Sequence, residues 1–188
     1  MTRLYCPQVP SLGVGFELPP IAARHAQVLR LQPGDALELF DGRGGAWHGQ
    51  VLRMGRQSVQ VLATAMRNVS KAPTRTVTLL VGIPANERMD WLIEKATELG
   101  VARITPLVTQ RSVLRLSGER ADKKRAHWQD IAASACEQCG RNRVPLIDAP
   151  HTFTDGLLSL QAHPAAQTPA ARWVLSLHAQ SQPASEQT

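Results

Sequence analysis

In the first third of the chain, apolar and polar positions alternate in short runs separated by turn residues. A period of two is typical of β-strands with one buried face. Clusters such as QPGD, DGRGG and MGRQ stand where the chain would turn. Closely spaced strands of this kind favour a small β-barrel. The predicted strands are 13–18, 35–40, 46–54 and 58–66, and a short amphipathic helix with a basic face, 19–31, lies between the first two.

After residue 76 the pattern of apolar and polar residues changes. Apolar runs of strand length alternate there with amphipathic stretches of helix length. Residues 77–83, VTLLVGI, are continuously apolar, as strands buried on both faces of a parallel sheet are. Residues 86–100 have apolar side chains at helical spacing and end in a glycine. This alternation predicts right-handed crossovers and a parallel sheet. The other predicted strands are 101–109, 144–149 and 172–178, and the other predicted helices are 119–141 and 153–161.

A polar, proline-containing stretch at 67–76 separates the two rhythms and indicates a domain boundary. We therefore predict a small β-barrel over 1–70 and an α/β domain over 74–188. Ligands of open parallel sheets bind at the carboxyl ends of the strands. Leu177 and His178, which end the last predicted strand, are therefore candidate ligand-binding residues.

The net charge of the chain suggests what kind of molecule it binds. The 188 residues carry 21 Lys+Arg against 15 Asp+Glu, a net charge of +6, and arginine outnumbers lysine. An excess of arginine favours polyanion partners, nucleic acid above all. An arginine-rich composition without any such partner explains the charge equally well. Aromatic residues are only 4% of the chain, which argues against a surface that stacks single-stranded bases.

Other function classes are disfavoured by what the sequence lacks. No apolar run approaches the roughly 20 residues of a membrane-spanning helix, and MTRLYCPQVP lacks the apolar stretch of a secretory signal. Three cysteines are an odd number, which is not typical of a disulfide framework. We therefore expect a cytoplasmic protein with reduced thiols and no membrane partner.

Two of the cysteines, Cys136 and Cys139, are three residues apart and suggest a zinc or redox site. A structural zinc site commonly needs a second cysteine pair or spaced histidines, which are absent here. A redox pair lies at a helix N-terminus, whereas this pair ends a predicted helix. Both cysteines continue an apolar stripe, so we interpret them as core residues and predict no metal, with a zinc or thiol site as the alternative. The stripe comprises Trp128, Ile131, Ala132, Ala135, Cys136 and Cys139.

The other face of the same helix end is polar. Glu137 and Arg141 are four residues apart in the order that favours an ion pair, and Gly140 can end the helix. Arg143 then lies in the loop before the next strand. An ordinary solvated helix end and a functional cluster both explain this pattern.

Four motifs, taken in order, resemble the RsmE family of bacterial ribosomal RNA methyltransferases, within the SPOUT superfamily. They are HAQVLRLQPGD, LFDGRG, ERMDWLIEKATELGVARITPLVTQRS and HWQDIAASACEQCGRNRVPLI. The resemblance implies an N-terminal PUA-like RNA-binding barrel and a SPOUT-type α/β domain in a homodimer. It also implies that S-adenosylmethionine methylates N3 of one uridine in 16S ribosomal RNA, as naked RNA or in the small ribosomal subunit.

Members of that family continue into a GPEGG-like loop and an LGxRxLRTETA-like segment, which form a trefoil knot around the cofactor. Neither string occurs here. We therefore expect an incomplete SPOUT-type domain that lacks the C-terminal knot and is inactive by itself. The alternative function is a non-catalytic RNA-binding module with a dimerising α/β half.

The resemblance also assigns candidate roles to basic and acidic residues. Glu137 and Arg141 are the candidate catalytic residues, with Glu137 orienting Arg141, and an ion pair at a helix end is the alternative. For each candidate RNA-binding residue a solvated surface position is the alternative. The candidate RNA-binding residues are Arg3, Arg24, His25, Arg30, Arg53, Arg56, Arg111, Arg115, Arg141 and Arg143.

Overall fold

The computed structural model describes residues 1–67, 75–110, 112, 116–162 and 171–175. Two β-sheets lie on either side of residues 68–74, the first within 2–67 and the second from residue 78 onward. The predicted boundary between the domains, at 70–74, falls outside the described residues and stays a prediction.

The first sheet has five strands in the order β1-β3-β4-β5-β2. Strands β1 and β3 pair in parallel, and the other neighbours are antiparallel. The edge strands β1 and β2 do not pair with each other in this sheet, so a closed barrel stays a prediction. The elements are β1 (Thr2–Tyr5), β2 (Gly15–Glu17), α1 (Pro20–Val28), β3 (Ala36–Phe40), β4 (Ala46–Met54) and β5 (Val59–Arg67).

Helix α1 covers one face of this sheet with small side chains. Ala22, Ala23 and Ala26 are buried against the sheet, while Arg24 on the opposite side of the helix is exposed. Alternating residues of the strands complete this core, as the period of two predicts. The buried strand residues include Leu4, Leu37, Leu39, Val51, Val59, Val61 and Ala63.

The second sheet is parallel, as predicted, and β7 lies at its centre. Strand β7 pairs in parallel with β6 on one side and with β8 and β9 on the other. Three helices alternate with these strands along the chain. The elements are β6 (Thr78–Gly82), α2 (Asn86–Glu98), β7 (Arg103–Val108), α3 (Gly118–Cys139), β8 (Leu146–Ile147), β9 (His151–Thr152) and α4 (Phe153–Ala162).

Helices α2 and α3 pack on each other and on this sheet through large apolar side chains. Met89 and Ile93 of α2 meet Trp128 of α3, Ile104 of β7 and Ile147 of β8, and each is at most 1% exposed. Burying a side chain of this size stabilises a fold by roughly 2 kcal/mol. None of the described helices is long and apolar enough to cross a membrane.

The predicted strand at 172–178 is wrong over its described part. Residues 171–175 have no regular secondary structure, and Trp173, Val174 and Leu175 are 56%, 88% and 97% exposed. An apolar run forms a strand only when a neighbouring strand accepts its backbone hydrogen bonds. No described strand pairs with this segment. Residues 176–178, which include Leu177 and His178, lie outside the described residues.

Candidate nucleic-acid interface at the domain junction

The end of α3 leaves its own sheet and runs to the first sheet. Gly140 has a φ of 79°, a left-handed conformation that ends the helix, and its N–H donates to the carbonyl of Cys136 at 3.1 Å. The chain then lies along residues 41–45, the DGRGG turn between β3 and β4. We call residues 41–45 and 141–144 together the junction.

Backbone hydrogen bonds hold the two halves of the junction together. The Gly44 N–H donates to the carbonyl of Asn142 at 2.9 Å, and the Val144 N–H donates to the carbonyl of Gly42 at 2.9 Å. Between these two bonds, Arg43 and Arg143 face each other in an isolated antiparallel bridge. Two motifs about a hundred residues apart in sequence therefore form one structure.

Glycine is required in the junction because of close contacts. Gly44 has a φ of 119°, and a Cβ there would lie 3.1 to 3.3 Å from three atoms of the Arg143 guanidinium. Gly42 has a φ of 76°, and a Cβ there would lie 2.8 Å from the Tyr5 ring. A side chain at either position would strain the backbone and displace a neighbour.

Arg3 joins β1 to the junction from inside the protein. Its guanidinium donates to the carbonyl of Arg141 at 3.1 Å and to the Asn142 side-chain oxygen at 2.8 Å. It also pairs with Glu38, a carboxylate that Arg67 contacts as well. Burial first, and the neighbouring Arg67 second, hold the pKa of Arg3 below its usual value. The Arg3 side chain is only 14% exposed, so the predicted RNA contact of Arg3 would compete with these internal contacts.

Glu137 also faces the first sheet. Its carboxylate accepts a hydrogen bond from the Tyr5 N–H at 2.7 Å and lies 3.0 Å from Nδ1 of His25. The expected ion pair between Glu137 and Arg141 does not occur among the described residues. Helix α3 ends at Cys139, and Gly140 turns the chain out of the helix, so Arg141 is not one helical turn from Glu137. The first sheet instead supplies the partners of the Glu137 carboxylate.

The two cysteines of α3 have different surroundings. Cys136 is buried beside Phe40 and Ala46 of the first sheet, which agrees with its predicted core position. Cys139 is exposed, so its predicted core position is wrong. The apolar stripe turns away from the core in the last turn, where α3 crosses from one sheet to the other. No group of three or more His, Cys, Asp or Glu side chains that could hold a metal occurs among the described residues.

Part of the predicted basic surface lies on and beside α1. The Gln27 amide donates to the carbonyls of Gly55 and Arg56 at 2.8 and 3.1 Å, which anchors α1 to the turn between β4 and β5. Helix α1, the residues after it, the end of β4 and that turn carry several of the predicted basic residues. These residues are Arg24, Arg30, Arg53 and Arg56, all exposed, with His25 half-buried beside them.

Two further predicted RNA-binding residues, Arg111 and Arg115, lie outside the described residues. Of the pair in the junction, Arg143 is exposed and Arg141 is half-buried. Arg43 is also exposed but was not a candidate, because DGRGG indicated a turn and LFDGRG a family motif without a role for the arginine. Glu38 was not a candidate either, although a charged residue in the apolar strand ALELF is a signal of an internal partner.

Two places that the described residues form, the groove between α2 and α3 and the carboxyl end of β6, do not fit S-adenosylmethionine. A groove of about 470 Å³ between α2 and α3 is lined by three carboxylates, those of Glu94, Glu98 and Asp130. No lysine or arginine lines that groove to pair with the carboxylate of the cofactor. At the carboxyl end of β6, a Cβ on Gly82 would lie 3.2 Å from the Thr109 side chain, so no open cradle is present there.

Comparison with known proteins gives two family matches. The family model of an RNA methyltransferase domain matches residues 70–187, and that of an RNA methyltransferase PUA domain matches residues 22–63. Two curated relatives are named ribosomal RNA small subunit methyltransferase E. That of Synechocystis sp. is 35% identical over 68% of this chain and 40% of the relative, and that of Bacillus subtilis is 31% identical over 71% and 52%.

Two solved structures resemble the chain closely. One is a ribosomal RNA small subunit methyltransferase E from Neisseria gonorrhoeae bound to S-adenosyl methionine, with a TM-score of 0.80 and 36% identity. The other is a methyltransferase from Legionella pneumophila in complex with the bound cofactor SAM, with a TM-score of 0.80 and 34% identity. Each match covers 84% of this chain and 65% of the other. The chain thus spans about half the length of the curated relatives and 65% of these solved chains.

Proposed function

Because the chain belongs to the RNA methyltransferase family, we propose that the protein methylates 16S ribosomal RNA with S-adenosylmethionine as the methyl donor. The observation that carries the proposal is the succession of a PUA match and a methyltransferase match along one chain. The target atom is N3 of a uridine, as the resemblance to the RsmE family implies. The ribosomal substrate places this activity in the cytoplasm.

The first domain and the junction bind the RNA backbone through arginine side chains. Exposed arginines on α1, on the turn between β4 and β5, and in the junction supply positive charge on both domains. Contacts of this kind to phosphates position the substrate without reading its sequence. The exposed residues among those predicted to bind RNA support this role best, and they are Arg24, Arg30, Arg53, Arg56 and Arg143. Arg3 acts from inside, by holding the loop that carries Arg141 and Arg143.

Uridine N3 lies on the Watson–Crick edge, so the target base must be unpaired or flipped out of its helix. N3 carries a proton in the neutral base and must lose it as the methyl group arrives. Arginine cannot accept that proton, because its guanidinium stays protonated in proteins. A cationic surround nevertheless favours the uridine anion, and Arg141 and Arg143 are the candidates for it.

Glu137 was the candidate catalytic carboxylate, and its contacts support a different role. Both carboxylate oxygens are engaged, one by the Tyr5 N–H and the other by His25. A general base must lie within reach of the proton it removes. We therefore propose Glu137 as a residue that holds the two domains together rather than one that reacts.

The experiment is methyl transfer to small ribosomal subunits from a bacterial strain that lacks this modification. Subunits are incubated with the protein and S-adenosylmethionine, and nucleosides of the 16S RNA are analysed by mass spectrometry. The proposed function predicts one N3-methyluridine per 16S RNA, whereas the expectation of an inactive chain predicts none, and heat-denatured protein is the control. Absence of that nucleoside, with RNA binding retained, would contradict the proposal.

Such an outcome would support the alternative function, an RNA-binding module without turnover. The observation that favours this alternative is the poor fit of S-adenosylmethionine to the groove between α2 and α3 and to the carboxyl end of β6. Calorimetry with S-adenosylmethionine separates the two functions, because only the enzyme binds it saturably. The homodimer implied by the resemblance stays a prediction, and light scattering during gel filtration tests it.

A further inference from the structure

Arg43 and Arg143 are two exposed arginines placed opposite each other by the backbone itself. They are partners in an isolated antiparallel bridge, and one comes from each domain. Like charges directly opposite each other across paired strands destabilise the pairing. An anion that pairs with both arginines would therefore stabilise the junction.

The neighbouring carboxylates, Asp41 and Glu137, do not pair directly with either arginine side chain. Asp41 Oδ1 accepts hydrogen bonds from the Arg43 N–H at 2.8 Å and the Gly45 N–H at 2.9 Å, so it holds the backbone of the turn. The Glu137 carboxylate is engaged by Tyr5 and His25. Among the described residues, neither Arg43 nor Arg143 forms an ion pair.

The backbone that carries the two arginines is tied on several sides. The Cys136 thiol donates to the Arg143 carbonyl at 3.4 Å, and burial raises the pKa of this thiol to about 12, so it keeps its proton. Arg3 holds the carbonyl of Arg141, and the Gly44 N–H holds that of Asn142. Because the main chain is held in place, a ligand that binds here orders little more than the two side chains.

We propose that Arg43 and Arg143 form a clamp for one phosphodiester of the RNA backbone at the domain junction. A guanidinium presents a planar fork of donors that matches two phosphate oxygens, and one phosphate between two guanidiniums removes their repulsion. The clamp deepens the proposed function and rests on it, because it names the RNA backbone as the ligand of this site.

Charge on the rest of the chain favours RNA over a protein or membrane partner. The part of the chain that carries Arg43 has further exposed arginines at Arg24, Arg30, Arg53 and Arg56, so its positive charge exceeds what one phosphate neutralises. A clamp with one arm on each domain would hold the RNA backbone at the boundary. A base near that phosphate would then lie beside the methyltransferase domain.

The test measures binding of the full chain to an in vitro transcript of 16S ribosomal RNA, by filter binding from about 50 to 200 mM salt. Arg43→Ala and Arg143→Ala are each expected to weaken binding about fivefold. If both hold one phosphate, the double variant loses less than the product of the two single losses. The slope of log K against log salt then falls by about 0.7 to 0.9 in total, the value for one phosphate.

Arg120→Ala is the matched control, because Arg120 is exposed near the start of α3, about 30 Å along the helix from Gly140. It is expected to change binding less than twofold. Arg143→Lys keeps the charge and is expected to keep most of the slope while losing part of the affinity. Thermal unfolding of each variant confirms that its fold is intact.

The outcomes separate the clamp from the proposed function. Wild-type binding to the transcript with equal effects of Arg43→Ala and Arg120→Ala would overturn the clamp and leave RNA binding standing. Fully multiplicative effects, with a doubled loss of slope, would also overturn it, because the arginines would then hold separate phosphates. Binding to phosphatidylglycerol vesicles but not to the transcript would overturn both proposals.

Discussion

Cys136 and Cys139 are about one helical turn apart, but Cys136 is buried and Cys139 is exposed. Burial controls how readily a thiol reacts. Burial, with a further contribution from Cys139, raises the pKa of Cys136 to about 12. Its reactive thiolate is then only about one molecule in ten thousand at pH 8. Cys6 is buried too, and burial raises its pKa. Cys139 is exposed to solvent.

We therefore predict that iodoacetamide alkylates one cysteine of the native protein, Cys139, and that the other two react at least about a hundredfold more slowly. Peptide mass spectrometry after a timed reaction at pH 8 locates the label. Cys139→Ser is the control and should leave the native protein almost unlabelled. Equal labelling of Cys136 and Cys139 would contradict the burial of Cys136.

Glu137 was predicted to orient Arg141, but its carboxylate contacts Tyr5 and His25 instead. Glu137→Ala removes the acceptor of the Tyr5 N–H and the partner of His25, so it should lower the free energy of unfolding by about 2 kcal/mol. Glu137→Gln keeps one acceptor oxygen, so it should lower the free energy of unfolding less than Glu137→Ala does. Urea denaturation at pH 7 measures both. The exposed neighbour Gln138 is the control, and a similar loss for Gln138→Ala would show that the contacts with the first sheet carry no stability.

At the scale of the element, Asp148 fixes the register between β7 and β8. Its carboxylate accepts hydrogen bonds from Arg103 Nε at 2.7 Å, Arg103 Nη2 at 2.9 Å and Thr105 Oγ1 at 2.6 Å. Burial by itself raises the pKa of Asp148, but the hydrogen bonds from Arg103 and Thr105 outweigh it and hold this pKa below its usual value. The ionised carboxylate is therefore stabilised in the folded sheet.

A lowered pKa stabilises the fold above the unfolded value, about 3.9, and the contribution is lost as the pH falls through the folded pKa. Asp148→Asn should therefore lower the free energy of unfolding by about 2 kcal/mol at pH 7. The difference from wild type should shrink steadily below about pH 4. Denaturation curves over that range measure it, with the exposed Asp130→Asn as control. A difference that does not change with pH would refute this role of the charge.

At the scale of the whole molecule, the junction connects the part of the chain that forms the first sheet to the part that forms the second. The amides of Gly44 and Val144 donate across it, the Tyr5 N–H donates to Glu137 beside it, and Arg3 supports it from inside. Arg3→Ala should open the junction, because it removes two hydrogen bonds to residues 141–142 and leaves Glu38 with Arg67 alone. Local opening of this kind is measured by hydrogen exchange.

We predict that Arg3→Ala speeds exchange of these three amides by at least about tenfold, which corresponds to roughly 1.4 kcal/mol of opening free energy. Amides of the α2 and α3 cores should keep their protection. Arg24→Ala, an exposed arginine of α1, is the matched control and should change none of them. Uniformly faster exchange across both domains would instead mean that Arg3 serves general stability.

Local periodicity alone determined much of this protein. The helices α2 and α3, the parallel second sheet and the antiparallel strands β3 to β5 all follow from patterns that neighbouring residues carry. The motifs also identified the family, which the RNA methyltransferase match confirms. Strands β1 and β9 were missed because their residues, TRLY and HT, lie in no apolar run, whereas the equally short β2 and β8 do.

Only the tertiary structure decided what the charged residues do. The sequence paired Glu137 with Arg141 along one helix, whereas the fold pairs it with Tyr5 and His25 of the other domain. Arg3 points into the protein toward its partner Asn142, which is distant in sequence. Arg43 and Arg143 are opposite each other because residues 41–45 and 141–144 bind each other. The periodic spacing of apolar residues predicts which face of a helix or strand is buried, because any core on that side can cover it. A charged side chain depends on a specific partner, and that partner can lie anywhere along the chain.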